Sequence, residues 1–485
     1  MTNKQALPEE TATPVFVSDF CSESRRTLIL IAAILASALG FIDGAVISIA
    51  VPAIRSALDA SLVEAQWIHN AYMLTLAALI LVGGAFGDRF GLARVFGAGI
   101  ALFVGASMVC AIAPTAPFLI GARAVQGVGA AIMVPGSLAV IARAYPRETR
   151  GRAIGIWASA SAMTTALGPI IGGLALTYGG EEMWRWIFAI NLPLGGVAVL
   201  LLWRAVNRDM GRPGTPVDFP GAILATLSFL CLAIGLTATH GSGNAPLWLI
   251  CGSAMLAAFL WVETKSPHPM MPLNLFRSRA FSTANALSFG LYAALNMVFF
   301  FLPMTMIAGW GISAIWTSFA FSPMAVFIAL LSPRMGALAD RVGPAPLLFT
   351  GSLVVALGYS YMAWSAPLAS LWQGVFPAMC AIGLGMSMVV APLSTAVMGA
   401  VDETHSGLAS GINNAASRLS GLFSVAAGGG LVAVAYSTAG GTLSFGETVD
   451  LSSHRAAMSA GLAAVAWTAA GLAGLAACLA LALRR

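Results

Sequence analysis

The segment 27–53 carries one ionisable side chain, Asp43, and otherwise only apolar or small uncharged residues. A soluble helix of that length shows a charged face to water; this one has none. Comparable runs recur near 67–86, 95–113, 117–142, 153–177, 185–205, 219–239, 246–263, 281–304, 312–333, 345–364, 371–398, 408–437 and 456–482. A hydrocarbon core about 30 Å thick needs roughly 20 apolar residues per helical crossing, because lipid offers no partner to a free backbone N–H or C=O. About fourteen membrane-spanning helices are therefore expected, in an all-α polytopic membrane protein. The composition agrees: 59% of the 485 residues are hydrophobic and 9% charged, against about a quarter charged in a soluble domain.

The charges sit between the runs, and their distribution gives an orientation. Nineteen Lys and Arg residues fall in alternate loops or at the ends, from Lys4 through the 143–152 and 204–212 clusters to Arg484 and Arg485. Only Arg55, Arg185 and Arg455 fall in the others, while Arg123 and Arg418 lie inside helices. The excess of basic residues on one side predicts that both termini face the cytoplasm, in a bacterial inner (plasma) membrane. Residues 1–25 read as a retained cytoplasmic tail, since they lack the basic-then-apolar order of a signal peptide. The net charge of +5 thus reports topology, and no nucleic-acid partner is expected. The six cysteines are scattered without metal-ligand or disulfide spacing, so no metal site is expected. Neither lysine, Lys4 or Lys265, lies in a P-loop, which removes an ATPase from this sequence. No compact triad, metal or paired-carboxylate constellation points to an enzyme.

An internal repeat divides the chain. "GAFGDRFG" and "GALADRVG" align without a gap at an offset of 252 (340 − 88), and Gly151, Gly155 and Gly172 match Gly407, Gly411 and Gly428 at 256 (428 − 172). Duplicated halves follow. The expected organisation is a six-helix bundle over 26–206, a linker with two additional helices over 207–275, and a second six-helix bundle over 276–485. Parallel six-helix repeats that rock about a central site are the architecture of secondary transporters.

The repeated loop is a compact charged knot. Gly84 is expected to allow close helix contact and Gly91 to take a positive-φ turn. Asp88 can accept hydrogen bonds at a helix end, while Arg89 and Arg94 can hold carbonyls or carboxylates. Its copy supplies Gly336, Asp340, Arg341 and Gly343. Such knots can latch two halves together or merely fix topology, and repetition favours the latch.

Gly84, Asp88, Arg89 and Gly91 resemble the signature loop of the major facilitator superfamily, and a count of fourteen spans points to its drug:proton antiporter branch. "FIDGAVISIAVP", with Asp43, Ala50 and Pro52, is similar to that branch's first-helix motif. "RAVQGVGAA" supplies Arg123, Gln126 and Gly127 of the fourth-helix motif, and Gly155, Gly168, Pro169, Gly172 and Gly173 resemble the fifth-helix antiporter motif. The sequence departs from these patterns at Leu92 and Ala93, where a basic pair is usual, and at Ala45, Ser48 and Thr164. The resemblance implies a facilitator fold of two six-helix bundles plus two extra helices, energised by the proton gradient without a cofactor.

Asp43 is the acid set deepest in a span. An isolated carboxylate in hydrocarbon costs a few kcal/mol, so it needs a proton, a partner or a watery cavity. It can serve as a proton carrier or as a hydrogen-bonded packing residue. Arg123, which the resemblance implicates in proton transfer, is its expected counter-charge, with backbone carbonyls as alternative partners. Gly168-Pro169 breaks one helical hydrogen bond, and its flanking glycines permit close approach, so a bent, tightly packed fifth helix is expected. The equivalent residues of the second half are Ser424 and Val425.

Phe41, Tyr72, Trp157, Tyr292, Phe299 and Trp316, with Gln126 and Asn296, are candidates to line a cavity for planar lipophilic molecules. His69 reads as an interfacial histidine in an aromatic belt or as a group titrating near neutral pH. The expected function is proton-coupled export of lipophilic compounds or drugs by alternating access, with small lipophilic substrates, protons and the bilayer as partners. The span near 312–333 holds no acid, so no strong preference for dications is expected. The alternatives are a narrow-specificity metabolite or antibiotic exporter, and a non-transporting receptor or scaffold.

Overall fold

The structure, a computed structural model, describes residues 20–207, 209, 211, 217–238, 244–402, 406–449 and 451–483. Most of the N-terminal tail, Lys4, Arg208, Arg212, Arg484 and Arg485 lie outside the described residues.

Regular structure among the described residues is helical. The first bundle is built from α1 (Arg26–Leu58), α2 (Leu62–Phe90), α3 (Leu92–Ala111), α4 (Ala116–Ala144), α5 (Arg147–Gly179), α6 (Trp184–Ala189) and α7 (Asn191–Ala205). Two further helices follow, α8 (Phe219–Thr237) and α9 (Ala245–Lys265). The remainder is α10 (Arg279–Met304), α11 (Ala314–Phe319), α12 (Ser322–Val342), α13 (Pro344–Ser365), α14 (Phe376–Met398), α15 (Ser406–Thr438) and α16 (Ser452–Ala482). Thirteen helical segments are long and apolar enough to cross a bilayer. Here α6 with α7, and α11 with α12, each count as one crossing. In α5 the corresponding apolar stretch is shorter, Leu167–Gly179, within a helix of 33 residues.

Most helices overrun the apolar runs that mark them. α2 begins at Leu62 rather than 67, because Ser61 and Glu64 form a reciprocal capping box that starts the helix ahead of its apolar stretch. Thr115, Asp218 and Ser278 cap α4, α8 and α10 by single bonds, each accepting from a backbone N–H. Gly91 at φ 105° and Gly343 at φ 81° turn the chain sharply into α3 and α13. An L side chain is strained there, which explains why both repeats place glycine at these positions.

The buried core forms two main bodies. One joins α1–α4 and α7 around Phe96, Ile100, Phe103 and Met133. The other joins α10 and α13–α16 around Phe281, Leu291, Tyr359, Met386 and Leu462. The helices α8 and α9 pack through Gly235 and Gly252, where an added Cβ would strike Leu249 and Leu232. This pair rests on both bodies, with Phe219 against Phe86 and Phe229 against Phe423. Side chains such as Trp203, Ile250, Leu357 and Trp467 stay exposed on the outside, an apolar perimeter that a bilayer covers and water does not.

Candidate functional site

Asp43 on α1 and Arg123 on α4 meet in a fully protein-enclosed ion pair. Arg123 Nη1 lies 2.6 Å from Asp43 Oδ2, and the two side chains are 0% and 1% exposed. The second carboxylate oxygen, Oδ1, accepts from Gln126 Nε2 at 3.0 Å. Gln126 in turn accepts from Arg123 Nη1 at 2.6 Å and donates to Ser107 Oγ at 2.7 Å, which also accepts from Asn191 Nδ2 at 3.0 Å. The guanidinium donates a further bond to the Ile68 carbonyl at 3.1 Å. Both Asp43 oxygens are thus engaged by donors. Of the three escapes open to a membrane-embedded carboxylate, this conformation uses the partner. Arg123 also satisfies the backbone alternative, so the two readings coexist in one network.

Tyr72 links this pair to the central cavity. Its ring lies 4.3 Å under the Arg123 guanidinium carbon, and it lines a cavity of about 1610 Å³ between the two bodies. The cavity runs from the middle of the helices, at Phe41, Tyr72 and Asn296, to the end marked by Asp88, Met398 and Gly407, the end that carries the basic loops. Phe41, Tyr72, Trp157, Tyr292 and Asn296 line it. Trp157 is fixed there by a bond from its Nε1 to Ser37 Oγ at 2.8 Å.

Gln126 and Phe299 do not line the cavity. The first is consumed by the ion pair; the second packs edge-on to Phe321 within the α10–α16 core. Trp316 is half exposed in a surface cluster with Phe319 and Trp372. His69 is neither interfacial nor in an aromatic belt: it is buried against Phe300, and neither ring nitrogen has a hydrogen-bond partner among the described residues. Its helix face is turned toward the opposite body, a direction that proximity to Trp67 in sequence does not reveal.

Beyond the cavity the far end is sealed by contacts between the bodies. Gln66 Nε2 donates to the carbonyls of Val425 and, at 3.3 Å, Ala426. Arg55 donates to the Phe445 carbonyl at 2.5 Å and to Ser444 Oγ at 3.4 Å. On the other side of the seam, Ile315 N donates to Thr177 Oγ1 at 3.1 Å. Of the antiporter-motif glycines, Gly173 makes this seam close, while Gly172 and Gly168 bring α5 against α1 within the first bundle. A Cβ on Gly172 would strike Val46 on α1, and one on Gly173 would strike Ser318 Oγ and the Ala314 carbonyl on α11. Gly168 lies beside Ile42, and Pro169 is buried inside α5. Gly155 touches nothing at that range and takes no part in the close packing.

The two signature loops differ. In the first, Asp209 accepts from the Arg94 backbone N–H at 2.9 Å, capping α3, and lies 3.8 Å from Arg143. Gly91 leaves just enough room for it, since a Cβ there would lie 2.6 Å from Asp209 Oδ2. The Arg94 side chain is exposed, so the backbone and not the guanidinium meets the carboxylate. Gly84 faces the cavity with no close neighbour; the close helix contact belongs to Gly83, whose Cβ would strike the Ala131 carbonyl. In the second loop Asp340 and Arg341 are exposed, and Gly336 meets Ala391 at ordinary contact distance.

The profile of the Major Facilitator Superfamily matches residues 33–425. The chain belongs to that superfamily. Among facilitators with curated names, it is 30% identical to the Methylenomycin A resistance protein of Bacillus subtilis (strain 168), over 83% of this chain and 87% of the other. It is also 30% identical to the Cephamycin export protein CmcT of Amycolatopsis lactamdurans, over 89% and 88%. The Multidrug transporter protein MdtP of Bacillus subtilis (strain 168) matches at 28% over 83% and 74%. Among solved structures, a bacterial homolog to the human lysosomal transporter Spinster, inward-facing and unoccupied, superposes with a TM-score of 0.66 at 17% identity, covering 95% of this chain and 99% of that one. The D-xylose-proton symporter gives 0.65 at 17%, covering 94% and 97%. The protein is thus a multi-pass facilitator, a transporter of small molecules rather than an enzyme.

Several of this facilitator's placed residues had weak or no signals in sequence. Arg55 and Gln66 find partners 390 and 359 residues away, and Asp209 sits in a loop with no motif. Arg418, which lines the cavity, stands out in sequence only as the second arginine within a helix.

Proposed function

We propose that this facilitator exports lipophilic compounds or drugs by alternating access, driven by proton antiport. The carrying observation is the Asp43–Arg123 pair, hidden from solvent yet separated from a one-ended cavity by the single ring of Tyr72. A proton and Arg123 compete for the same carboxylate. Protonation of Asp43 weakens its hold on the guanidinium and frees α1 and α4 to shift against each other. Cargo in the cavity presses on the other face of Tyr72. Each ligand biases the two conformations by its differential affinity, which is all that exchange requires. Relatives named for resistance, multidrug transport and antibiotic export support the cargo class.

In this reading the basic end, where the cavity opens, is cytoplasmic, both termini lie on that side, and the membrane is the bacterial plasma membrane. The rocking bodies are 26–206 and 276–485, with 207–275 between them. Asp88, Arg89, Asp340 and Arg341 latch the cytoplasmic end when it closes. The test is cargo-dependent proton movement in proteoliposomes. Asp43→Asn abolishes coupling while cargo still binds; undiminished coupled efflux in that variant removes Asp43 from the mechanism.

A further inference from the structure

The cavity holds one strong cation that nothing in the described protein answers. Arg418 lies twelve residues into α15 (418 − 406), roughly 18 Å along the helix at 1.5 Å per residue, in the middle third of a membrane-crossing helix. It lines the cavity, and among the described residues its guanidinium makes no hydrogen bond or ion pair. Tyr72 and Tyr292 lie within electrostatic range of it, and neither phenolic hydroxyl has a hydrogen-bond partner among the described residues.

His69 also lies within electrostatic range of Arg418 with neither ring nitrogen hydrogen-bonded among the described residues, but it is buried and does not line the cavity. Polar side chains of the lining are engaged. Asn296 Nδ2 donates to the Tyr292 carbonyl at 2.7 Å, Asn414 Nδ2 to the Ser410 carbonyl at 3.1 Å, and Ser417 Oγ to the Asn413 carbonyl at 2.9 Å. The acids are committed or remote. Asp43 stands behind Tyr72 with both oxygens taken. Asp88 is sixteen residues beyond Tyr72 along α2 (88 − 72), about 24 Å from that tyrosine by helical rise. Asp218, at the cavity mouth, accepts from Gly221 N at 2.9 Å and Met270 N at 3.4 Å.

A guanidinium in mid-membrane is tolerated while water fills the open cavity, but closing over it unpaired is costly. An arginine that lines the same cavity as two tyrosines with unbonded hydroxyls is suited to an oxyanion, which it can bind in a forked geometry. Met73, Ile80, Leu81, Met133 and Trp157 supply apolar wall around it. We infer that the cavity selects amphipathic organic acids: Arg418, with the Tyr72 and Tyr292 hydroxyls, receives the carboxylate, and the apolar wall receives the body. This deepens the export reading and rests on it for the direction of movement, though not for binding.

The test compares three probes of one shape on the full chain in nanodiscs, by calorimetric titration with empty nanodiscs as reference: 1-pyrenebutyrate, its neutral methyl ester, and the matching pyrenebutyl-trimethylammonium cation. The acid is expected to bind roughly tenfold or more tightly than the ester, as a charge-assisted hydrogen bond allows, and the cation weakest. Arg418→Gln removes the preference for the acid without weakening the ester, and Arg418→Lys retains part of it. Equal binding of acid and ester by the unsubstituted protein overturns the inference, as does absence of acid binding or an Arg418→Gln loss shared by all three probes. The comparison within the unsubstituted protein stands even if a variant does not fold. Acid-selective binding without proton-coupled flux sinks the antiport reading and keeps this one; coupled flux of ester and acid alike does the reverse.

Discussion

The two halves share a helical frame but not its chemistry. Gly172 packs on Val46 and Gly428 on Phe301, so equivalent glycines (428 − 172 = 256) approach equivalent positions on α1 and α10 (301 − 46 = 255). Gly173 meets Ser318 of the opposite body, and Gly429 meets Gln66, again equivalent positions (318 − 66 = 252). Yet at 255 residues beyond Asp43 stands Val298, buried in an apolar core. One half hides a carboxylate–guanidinium pair behind a tyrosine, and the other leaves an arginine, unpaired among the described residues, facing the cavity. Glycine contacts conserve geometry because backbone approach is set by the frame. Charge is free to differ because each half needs only to be electrically tolerable in its own surroundings.

The largest effect is expected at the ion pair. Asp43→Asn strands Arg123 in the core, and breaking a buried pair from one side costs about 3–5 kcal/mol, read as a fall in denaturation temperature alongside lost coupling. Removing both charges, Asp43→Asn with Arg123→Gln, recovers most of the stability and none of the coupling. The converse substitution, Val298→Asp, puts a carboxylate where no partner waits. It is expected to cost roughly 2.5–3.5 kcal/mol, the insertion penalty of a charge at a helix centre, and an unchanged melting curve breaks the asymmetry.

The seam offers a finer comparison. At Gly173 the obstacle to a side chain includes the Ala314 backbone carbonyl at 2.7 Å, whereas at Gly429 it is the end of the Gln66 side chain. Gly173→Val is therefore expected to open the sealed end more than Gly429→Val. Overpacking of about 1–3 kcal/mol shifts the balance of states by roughly five- to 150-fold, measured as distances between spin labels across the seam. Equal shifts show that backbone and side-chain obstacles yield alike. Smallest is the difference between the loops: Asp209→Ala loses the α3 cap, about 1 kcal/mol, while exposed Asp340→Ala stays within about 0.5 kcal/mol by thermal unfolding in detergent.

Much of the frame was legible because lipid leaves the backbone few choices. Apolar runs of crossing length gave the helices, although capping residues such as Ser61 moved their ends outward. The turn glycines Gly91 and Gly343 were readable because positive φ excludes most other residues. Asp43 and Arg123 could be nominated as a pair, since each is intolerable alone. Side-chain direction was less legible. Gly83 rather than Gly84 makes the close contact, Phe299 turns into the core, and His69 turns into the seam. One residue along a helix is about 100° of rotation, and an apolar neighbourhood does not say which side faces lipid, core or cavity.

The sequence by itself determined that this chain crosses the membrane about fourteen times, is internally duplicated, and must reconcile a carboxylate and two arginines with hydrocarbon. Those conclusions follow from local hydropathy and from the cost of unpaired charge, which act residue by residue. The tertiary structure alone decided which end of the cavity is open, that Tyr72 stands between the ion pair and the cavity, and that Arg418 has no partner there among the described residues. These depend on how two bodies meet across hundreds of residues of sequence, where rotation and register set every contact and composition sets none.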